Sequence, residues 1–151
     1  MGLAAPVLPA GFQFAEVDTA LLHDPTLAKR QELLEEICSE RASTADFLAR
    51  SFGTVLLHER AVAGWCLSEY NCQQHCEVGI AIDEPYRRRG LATVLGSAFR
   101  QQALAASAPE IGWHCWEGNV ASCATAQALG FSLVRAYTAH VVRLALPRPF
   151  L

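Results

Sequence analysis

Residues 77–92 read EVGIAIDEPYRRRGLA, and they decide the fold of this chain. The first six are mostly apolar and include three β-branched side chains, which predicts a strand over 77–82. Pro85 ends that strand, and the apolar spacing from Leu91 onward predicts a helix that ends near Ser107. A strand therefore runs into a basic, glycine-containing turn at the N-terminus of a helix.

This turn has the chemistry of an anion site. The first N–H groups of a helix lack intrahelical partners, and the helix dipole is positive there. Gly90 lets a phosphate approach the backbone closely, and three arginines raise the local potential in a chain of net charge −3. The turn has neither the P-loop nor the Rossmann glycine pattern. Taken alone, it fits a phosphate site and equally an ordinary solvated basic turn.

The composition limits what the chain can be. With 151 residues, 52% hydrophobic and 18% charged, it predicts a single domain over 1–151, with residues 1–11 as a loose leader. The slightly acidic charge argues against nucleic acid and anionic membranes as partners, and no apolar run reaches the roughly 18 residues of a membrane span. The six cysteines show no disulfide-framework spacing, which predicts a reducing, cytoplasmic compartment.

The rest of the chain alternates between helical and extended patterns. Asp24 and Pro25 predict the start of a helix that ends near Ser39, and Ser43 with Asp46 predicts a second helix. The remaining elements are a short strand from Phe12, a hairpin of 54–58 and 61–67, a polar loop 68–75, a strand 111–116, a helix 119–129 closed by Gly130, and one long or two short strands over 131–146. This order predicts an α/β fold.

The basic turn also matches a known signature. Its pattern is [Q/R]-x-x-G-x-[G/A], with Arg87 first, Gly90 fourth and Ala92 sixth. This resembles the pyrophosphate-binding motif of the GNAT acyltransferases. The resemblance implies the GNAT fold: a mixed, mostly antiparallel sheet of six or seven strands, with helices on both faces and a splayed central strand pair.

The resemblance extends beyond the turn and covers residues 43–143. The strand before the turn, the strand after the helix and the helix opened by Asn119 lie in the order of that family. Within it, the chain is most similar to the zwittermicin-A-resistance type. The residues that carry this finer similarity are Phe52-Gly53, Trp113-x-Cys115, Asn119-x-x-Ser122 and Tyr137.

The activity that the resemblance implies is an acetyl-CoA-dependent N-acetyltransferase, which acetylates a primary amine of a small molecule by direct attack in a ternary complex. The strand backbone at 80–82 would pair with the pantetheine like an added strand, and an amide near Ile82 would polarise the thioester carbonyl. The implied coenzyme A contacts are Ile80, Ala81, Ile82, Arg87, Arg88, Arg89, Gly90, Leu91, Ala92, Thr93 and Asn119.

Proton transfer is assigned less directly. Glu77 is the candidate base, because its position is similar to that of the catalytic glutamate in some family members; the alternative is an exposed acid at a strand end. The tyrosine acid of the family stands seven residues after the helix-opening Asn, where this chain has Ala126. Tyr137, Ser122 or solvent would then protonate the leaving thiolate.

Other functions stay open from sequence. The chain could be a catalytically degenerate acyl-CoA-binding sensor or interaction module, or an acetyltransferase of proteins and peptides. Residues 131–146 could pair across the interface of a homodimer. Cys72, His75 and Cys76 are zinc-ligand types, but no fourth ligand accompanies them, so we predict a turn between strands and no metal.

Overall fold

Five strands form one sheet in the computed structural model, which describes residues 7–142. The strands lie in chain order, and all neighbours are antiparallel except the last pair, which is parallel. The mixed, mostly antiparallel sheet is confirmed, but the described residues form five strands rather than six or seven. The strands are β1 (Phe12–Glu16), β2 (Gly53–His58), β3 (Ala61–Cys72), β4 (His75–Ile82) and β5 (Glu110–Gly112).

Helices cover both faces of this sheet, as predicted. The helices are α1 (Thr19–His23), α2 (Arg30–Glu40), α3 (Thr44–Arg50), α4 (Leu91–Ala105) and α5 (Val120–Ala128). No helix within residues 7–142 is long and apolar enough to cross a membrane.

Two apolar cores hold these helices in place. On one face, Ile37 of α2 and Phe47 of α3 pack with Leu67 of β3. On the other face, Leu95 and Phe99 of α4 pack with Cys66 and other residues of the sheet. Each buried side chain of this size stabilises the fold by about 1.5–3 kcal/mol. Alternate residues of β3 thus face opposite cores, which fixes its register.

The predicted first helix is wrong at its start. Asp24 caps the C-terminus of α1, and its carboxylate accepts hydrogen bonds from the N–H and hydroxyl of Thr26 and an ion pair from Arg60. These local bonds hold a turn where the sequence predicts helix, so α2 begins later, at Arg30. The second helix is confirmed: the Ser43 side chain accepts from the N–H of Asp46.

The extended elements differ from prediction in two places. The polar loop predicted over 68–75 is mostly strand, because β3 runs to Cys72 and β4 begins at His75. Conversely, the strand predicted over 111–116 stops at Gly112, and residues 131–142 form no strand; residues 143–146 lie outside the described part. A strand needs a hydrogen-bonded neighbouring strand. The three-residue β5 ends at Gly112, so it provides no partner beyond that residue.

Candidate active site

Strands β4 and β5 separate along their length, as predicted for the splayed pair, although β5 lies at the edge of the described sheet and not at its centre. Pairing between β4 and β5 ends at Glu77 and Gly112, although β4 continues to Ile82. Beyond Glu77, one edge of β4 therefore carries backbone groups with no neighbouring strand. This opening lies beside the N-terminus of α4.

The pairing pattern identifies the backbone groups that face the opening. The N–H of Asp83 donates to the carbonyl of Ala63 on β3 at 2.9 Å. Antiparallel strands bond to one neighbour at alternate residues, so the backbone groups of Ile80 and Ile82 point away from β3. The Ile82 carbonyl accepts from Arg87 Nε at 2.8 Å. The N–H groups of Ile80 and Ile82 remain for a ligand.

The turn after β4 presents a second set of amides. Gly90 is the N-cap of α4 with φ +73°, a left-handed conformation that glycine adopts without strain. The N–H groups of residues 88–92 have no hydrogen-bond partner within the described chain. The N–H of Thr93 already donates to the Gly90 carbonyl at 3.1 Å, so Thr93 offers a ligand its hydroxyl and not its amide.

The base of this turn is fixed by ion pairs and rings. Asp83 accepts from the N–H of Glu84 at 3.0 Å and pairs with Lys29 Nζ at 2.6 Å. Arg89 lies over the ring of Tyr86, 5.8 Å from its centroid. The residues on either side of the first arginine of the turn are thus held by Lys29 and by the Tyr86 ring.

A cleft of about 580 Å³ joins the open strand edge to the turn. It contains all the predicted coenzyme A contacts except Arg89. Its lining consists of Ile80, Ala81, Ile82, Tyr86, Arg87, Arg88, Gly90, Leu91, Ala92, Thr93, Trp113, Asn119, Ala121, Ser122 and Thr125. Tyr86, Trp113, Ala121 and Thr125 are lining residues that the sequence analysis did not assign.

The far wall of the cleft is the start of α5. Asn119 caps this helix, and its side-chain oxygen accepts from the N–H of Ser122 at 3.2 Å, which leaves its amide NH₂ for a ligand. Ser122 Oγ accepts from Trp113 Nε1 at 3.0 Å, so its own hydroxyl hydrogen is available. Asn119 and Ser122 are therefore both positioned on the cleft.

Glu77 lies at the point where β4 and β5 separate. Its side chain is only 13% exposed, so it is not the exposed strand-end acid of the alternative interpretation. His75 Nε2 lies 2.7 Å from Oε1, and His114 Nδ1 lies 2.8 Å from Oε2. The His114 contact has the distance of an ion pair but not the alignment of a hydrogen bond, because the buried Oε2 has no hydrogen-bond partner.

Tyr137 stands on the outer side of this cluster. Its side chain is exposed, and its ring meets the His114 ring edge-on at 5.9 Å. It does not line the cleft, whereas Ser122 does. Of the two candidate acids, only Ser122 therefore lines the cleft.

Glu69 is a second carboxylate that the sequence analysis did not assign to catalysis. It pairs with Glu77 across β3 and β4, so both side chains lie on the α2 face of the sheet. Burial raises the pKa of Glu69 to about 7, and the negative charges of Glu40, Glu36 and Glu77 contribute to the rise. The sequence could have indicated this pairing only if residues 68–75 had been predicted as mostly extended. Residues 69 and 77 then face each other on adjacent strands.

The cysteines lie elsewhere in the site. Cys115 Sγ is 3.4 Å from Cys123 Sγ, beside the α5 wall of the cleft. Cys76 is buried in the α4-side core, while His75 contacts Glu77. The three residues considered for zinc thus face different surroundings.

A sequence profile described as GNAT acetyltransferase matches residues 3–140. The chain belongs to the GNAT acetyltransferase family. The cleft lies where the turn that carries the family's motif meets the open strand. A comparison with curated protein sequences finds no match.

Solved structures share the GNAT fold at low sequence identity. A GCN5-related N-acetyltransferase-like protein from Streptococcus suis 89/1591 has a TM-score of 0.70 and 23% identity, over 86% of this chain and 50% of its own. The present chain thus spans half the length of that protein.

Two aminoglycoside acetyltransferases are similar over nearly their whole length. One, meta-AAC0020 from an uncultured soil metagenomic sample, was solved with trehalose; it has a TM-score of 0.66 and 12% identity, over 89% of this chain and 97% of its own. The other, AAC(6')-Iy, was solved with the bisubstrate analogue CoA-S-monomethyl-acetylneamine. It has a TM-score of 0.61 and 16% identity, over 88% of this chain and 99% of its own. At these identities the likeness establishes the fold alone.

Proposed function

We propose that this GNAT protein transfers the acetyl group of acetyl-CoA to a primary amine of a small molecule, by direct attack in a ternary complex. The observation that carries the proposal is the continuity of the cleft, which leads from the unpaired amides of the turn to the open edge of β4 at residues 80–82. Glu77 lies three residues before this segment, at the point where β4 and β5 separate. A phosphate-binding turn, a bare strand edge and a shielded carboxylate are the three parts that such a transfer needs.

The residues present fit coenzyme A on their own geometry. Unpaired N–H groups at residues 88–92, with the dipole of a fifteen-residue helix behind them, suit a pyrophosphate. The N–H groups of Ile80 and Ile82 suit the amide-bearing pantetheine arm, and the Asn119 NH₂ faces it from α5. When bound, acetyl-CoA supplies an activated thioester carbonyl, whose oxygen becomes negative as the amine attacks. The Ile82 N–H is the nearest candidate donor to that oxygen.

Proton transfer is proposed to run through Glu77 and the cleft hydroxyl. Glu77 accepts a proton from the attacking nitrogen, and its two histidine neighbours hold the carboxylate in place. Ser122 protonates the departing sulfur and is reprotonated from solvent, while Glu77 releases its proton to solvent. Ser122 is suited to this role because it lines the cleft and its hydroxyl hydrogen is not engaged. Tyr137, which is edge-on to His114, is the alternative acid on the outer side.

A cationic small molecule is the acceptor class that the surroundings of Glu77 support. Glu36, Glu40 and Glu69 lie on the same side of the sheet, and none of them has an ion-pair partner between residues 7 and 142. The complex of AAC(6')-Iy with an acetylneamine analogue is a precedent in the same fold. We further propose a cytoplasmic site of action, since all six cysteines are free thiols.

The first experiment is calorimetric titration with acetyl-CoA, with desulfo-CoA and NAD in parallel. Binding of both CoA species but not of NAD supports the cofactor assignment. A panel of aminoglycosides, polyamines, amino acids and peptides is then screened for acetylation with the wild type and with Glu77→Gln. Loss of turnover with CoA binding retained in Glu77→Gln supports the enzyme. CoA binding with no turnover on any amine would instead indicate a sensor module, and turnover on peptides alone a protein acetyltransferase.

A further inference from the structure

The carboxylate of Glu69 reaches across to the strand that borders the cleft. A Cβ added at Gly79 would overlap the Glu69 carboxylate, so this carboxylate lies directly on the backbone of β4. Gly79 immediately precedes the cleft-lining segment 80–82. The Glu77 carboxylate likewise lies on the backbone of the next strand, against Gly112 of β5. Both acids therefore lean toward the opening and lie flat against the sheet.

We propose that Glu69 is a second catalytic carboxylate, which takes the first proton from the bound ammonium group so that Glu77 receives a neutral amine. This role rests on the proposed acetyl transfer and adds a step to it. An amine arrives as R–NH₃⁺ and ends as R–NH–CO–CH₃, so its nitrogen gives up two protons. Glu69 takes the first and releases it to water; Glu77 takes the second during attack, and an equivalent proton ends on the CoA thiol.

The two carboxylates are suited to different steps. Both oxygens of Glu77 already face histidine nitrogens, at 2.7 and 2.8 Å. Glu69 has no such partner in the described chain, so its oxygens are available to an incoming cation. Glu69 is itself only half-buried, so a proton that it releases can reach solvent.

The surroundings of Glu69 match a proton acceptor that works near neutral pH. The charged groups facing it are Glu36 and Glu40 from α2 and Glu77 from β4, all acidic. Together with burial they raise the pKa of Glu69 to about 7, whereas an ordinary glutamate at 4.5 is a much weaker base. Proton transfer is most efficient when the pKa of the catalytic group lies near the working pH.

The test compares Glu69→Gln with wild type on two acceptors: the best amine of the panel and its analogue with two fluorines beside the amine carbon. Fluorination lowers the pKa of the ammonium group, so the analogue arrives already neutral at pH 7.5. We expect Glu69→Gln to reduce kcat/KM for the parent amine by about 100-fold, and for the fluorinated amine by less than about threefold. A merely structural role would reduce both equally, and that result overturns the inference.

The pH profile provides a second readout. In wild type, log kcat/KM rises through about pH 7 as Glu69 ionises. Glu36→Gln combined with Glu40→Gln removes two negative neighbours of Glu69, so the rising part of the pH profile moves to lower pH. The control is Glu35→Gln, on the solvent side of the same helix, which should leave the profile unchanged. An unmoved limb in the double variant contradicts the proposal.

Titration of the carboxyl carbons in ¹³C-glutamate-labelled protein separates this inference from the proposed function. A glutamate titrating near pH 7 that is absent from Glu69→Gln supports the assignment even before an acceptor is known. If wild type acetylates no amine, the proposed function fails and the catalytic role of Glu69 fails with it. If wild type is active but the resonance titrates near 4.5, only the role of Glu69 fails.

Discussion

Gly112 of β5 lies against the carboxylate of Glu77 on β4, so closely that an added Cβ would stand 2.5 Å from Glu77 Cδ. Real Cβ atoms essentially never approach another atom so closely. The carboxylate can occupy its position between the two histidines only because residue 112 has no side chain.

Gly112→Ala should therefore inactivate the site without changing an acid. The added methyl forces the Glu77 carboxylate away from His75 and His114, and we expect kcat to fall at least tenfold. Calorimetry should show acetyl-CoA binding within about threefold of wild type, because the turn is untouched. Gly118→Ala is the matched control, since a Cβ there meets nothing within 4 Å. Equal activity in the two variants would mean that Glu77 is not held as described.

Substitutions at Gly90 test the anion site in two steps. Gly90→Ala places a side chain at φ +73°, which costs about 1 kcal/mol of backbone strain but leaves the amides exposed. Gly90→Glu adds the same strain together with a negative charge where a pyrophosphate must approach. CoA affinity, measured by calorimetry, should fall several-fold in the first variant and be lost in the second. Wild-type affinity in a folded Gly90→Glu protein would exclude the turn as the CoA site.

The raised pKa of Glu69 predicts a pH-dependent stability. The folded protein holds the Glu69 proton up to about pH 7, whereas the unfolded chain releases it near 4.5. Folded molecules therefore bind more protons between these values, and the contribution of this residue to stability falls as the pH rises from about 4.5 to about 7. After allowance for solvent screening, the loss is roughly 1 kcal/mol.

Denaturant unfolding at pH 5 and pH 8 measures this effect directly. Glu69→Gln stays neutral at both values, so it should gain stability over wild type at pH 8 and little at pH 5. The same difference at both pH values would contradict the raised pKa. Glu35→Gln serves as the exposed-acid control.

The Cys115–Cys123 contact predicts the first disulfide that the protein forms. A bond of about 2.05 Å requires a small approach from the present 3.4 Å. With oxidised glutathione, thiol–disulfide exchange should join Cys115 to Cys123 and release two molecules of glutathione. Cys38 and Cys72 are exposed and should give mixed disulfides instead.

Peptide mapping after mild oxidation distinguishes these products. The hydrogen bond between the two thiols raises the pKa of Cys123, so the reaction should be faster at pH 8.5 than at pH 7. Cys123→Ser should leave Cys115 as a glutathione adduct. Mixed disulfides at both cysteines in wild type, with no cross-link, would show that the pair does not approach in solution.

Local signals were enough to predict the turn and its two flanking elements. The β-branched run at 77–82, the helix from Leu91 and the cap at Asn119 depend on residues close in sequence, and each is confirmed within a few residues. The cleft follows from them, since it lies where they meet. The sequence predicted Glu77 as the first residue of this strand, whereas β4 begins two residues earlier, at His75.

The second acid could not be found in the same way. Glu69 lies in a polar stretch that resembles a loop, yet it is strand. Ser68 Oγ accepts a hydrogen bond from the N–H of Phe52, and the side-chain NH₂ of Asn71 donates to the carbonyl of Arg50. A shift in register between Glu69 and Cys72 further separates the observed pairing from a simple hairpin. Its alignment with Glu77 depends on how β3 pairs with β4, and the polar sequence between them does not indicate that pairing.

Lys29 is the only lysine in the sequence, and it is bound to Asp83 at the entrance to the arginine turn. The hydrogen bond from its ammonium group to Asp83 raises its pKa, so it stays protonated and is a poor nucleophile. If the proposed acetyl transfer is correct, this chain offers it almost no side-chain amine of its own to modify. Self-acetylation on lysine would be negligible. In an assay that uses an amine-reactive dye, the protein would give little background signal, so nearly all of the decrease in free amine would come from the added acceptor.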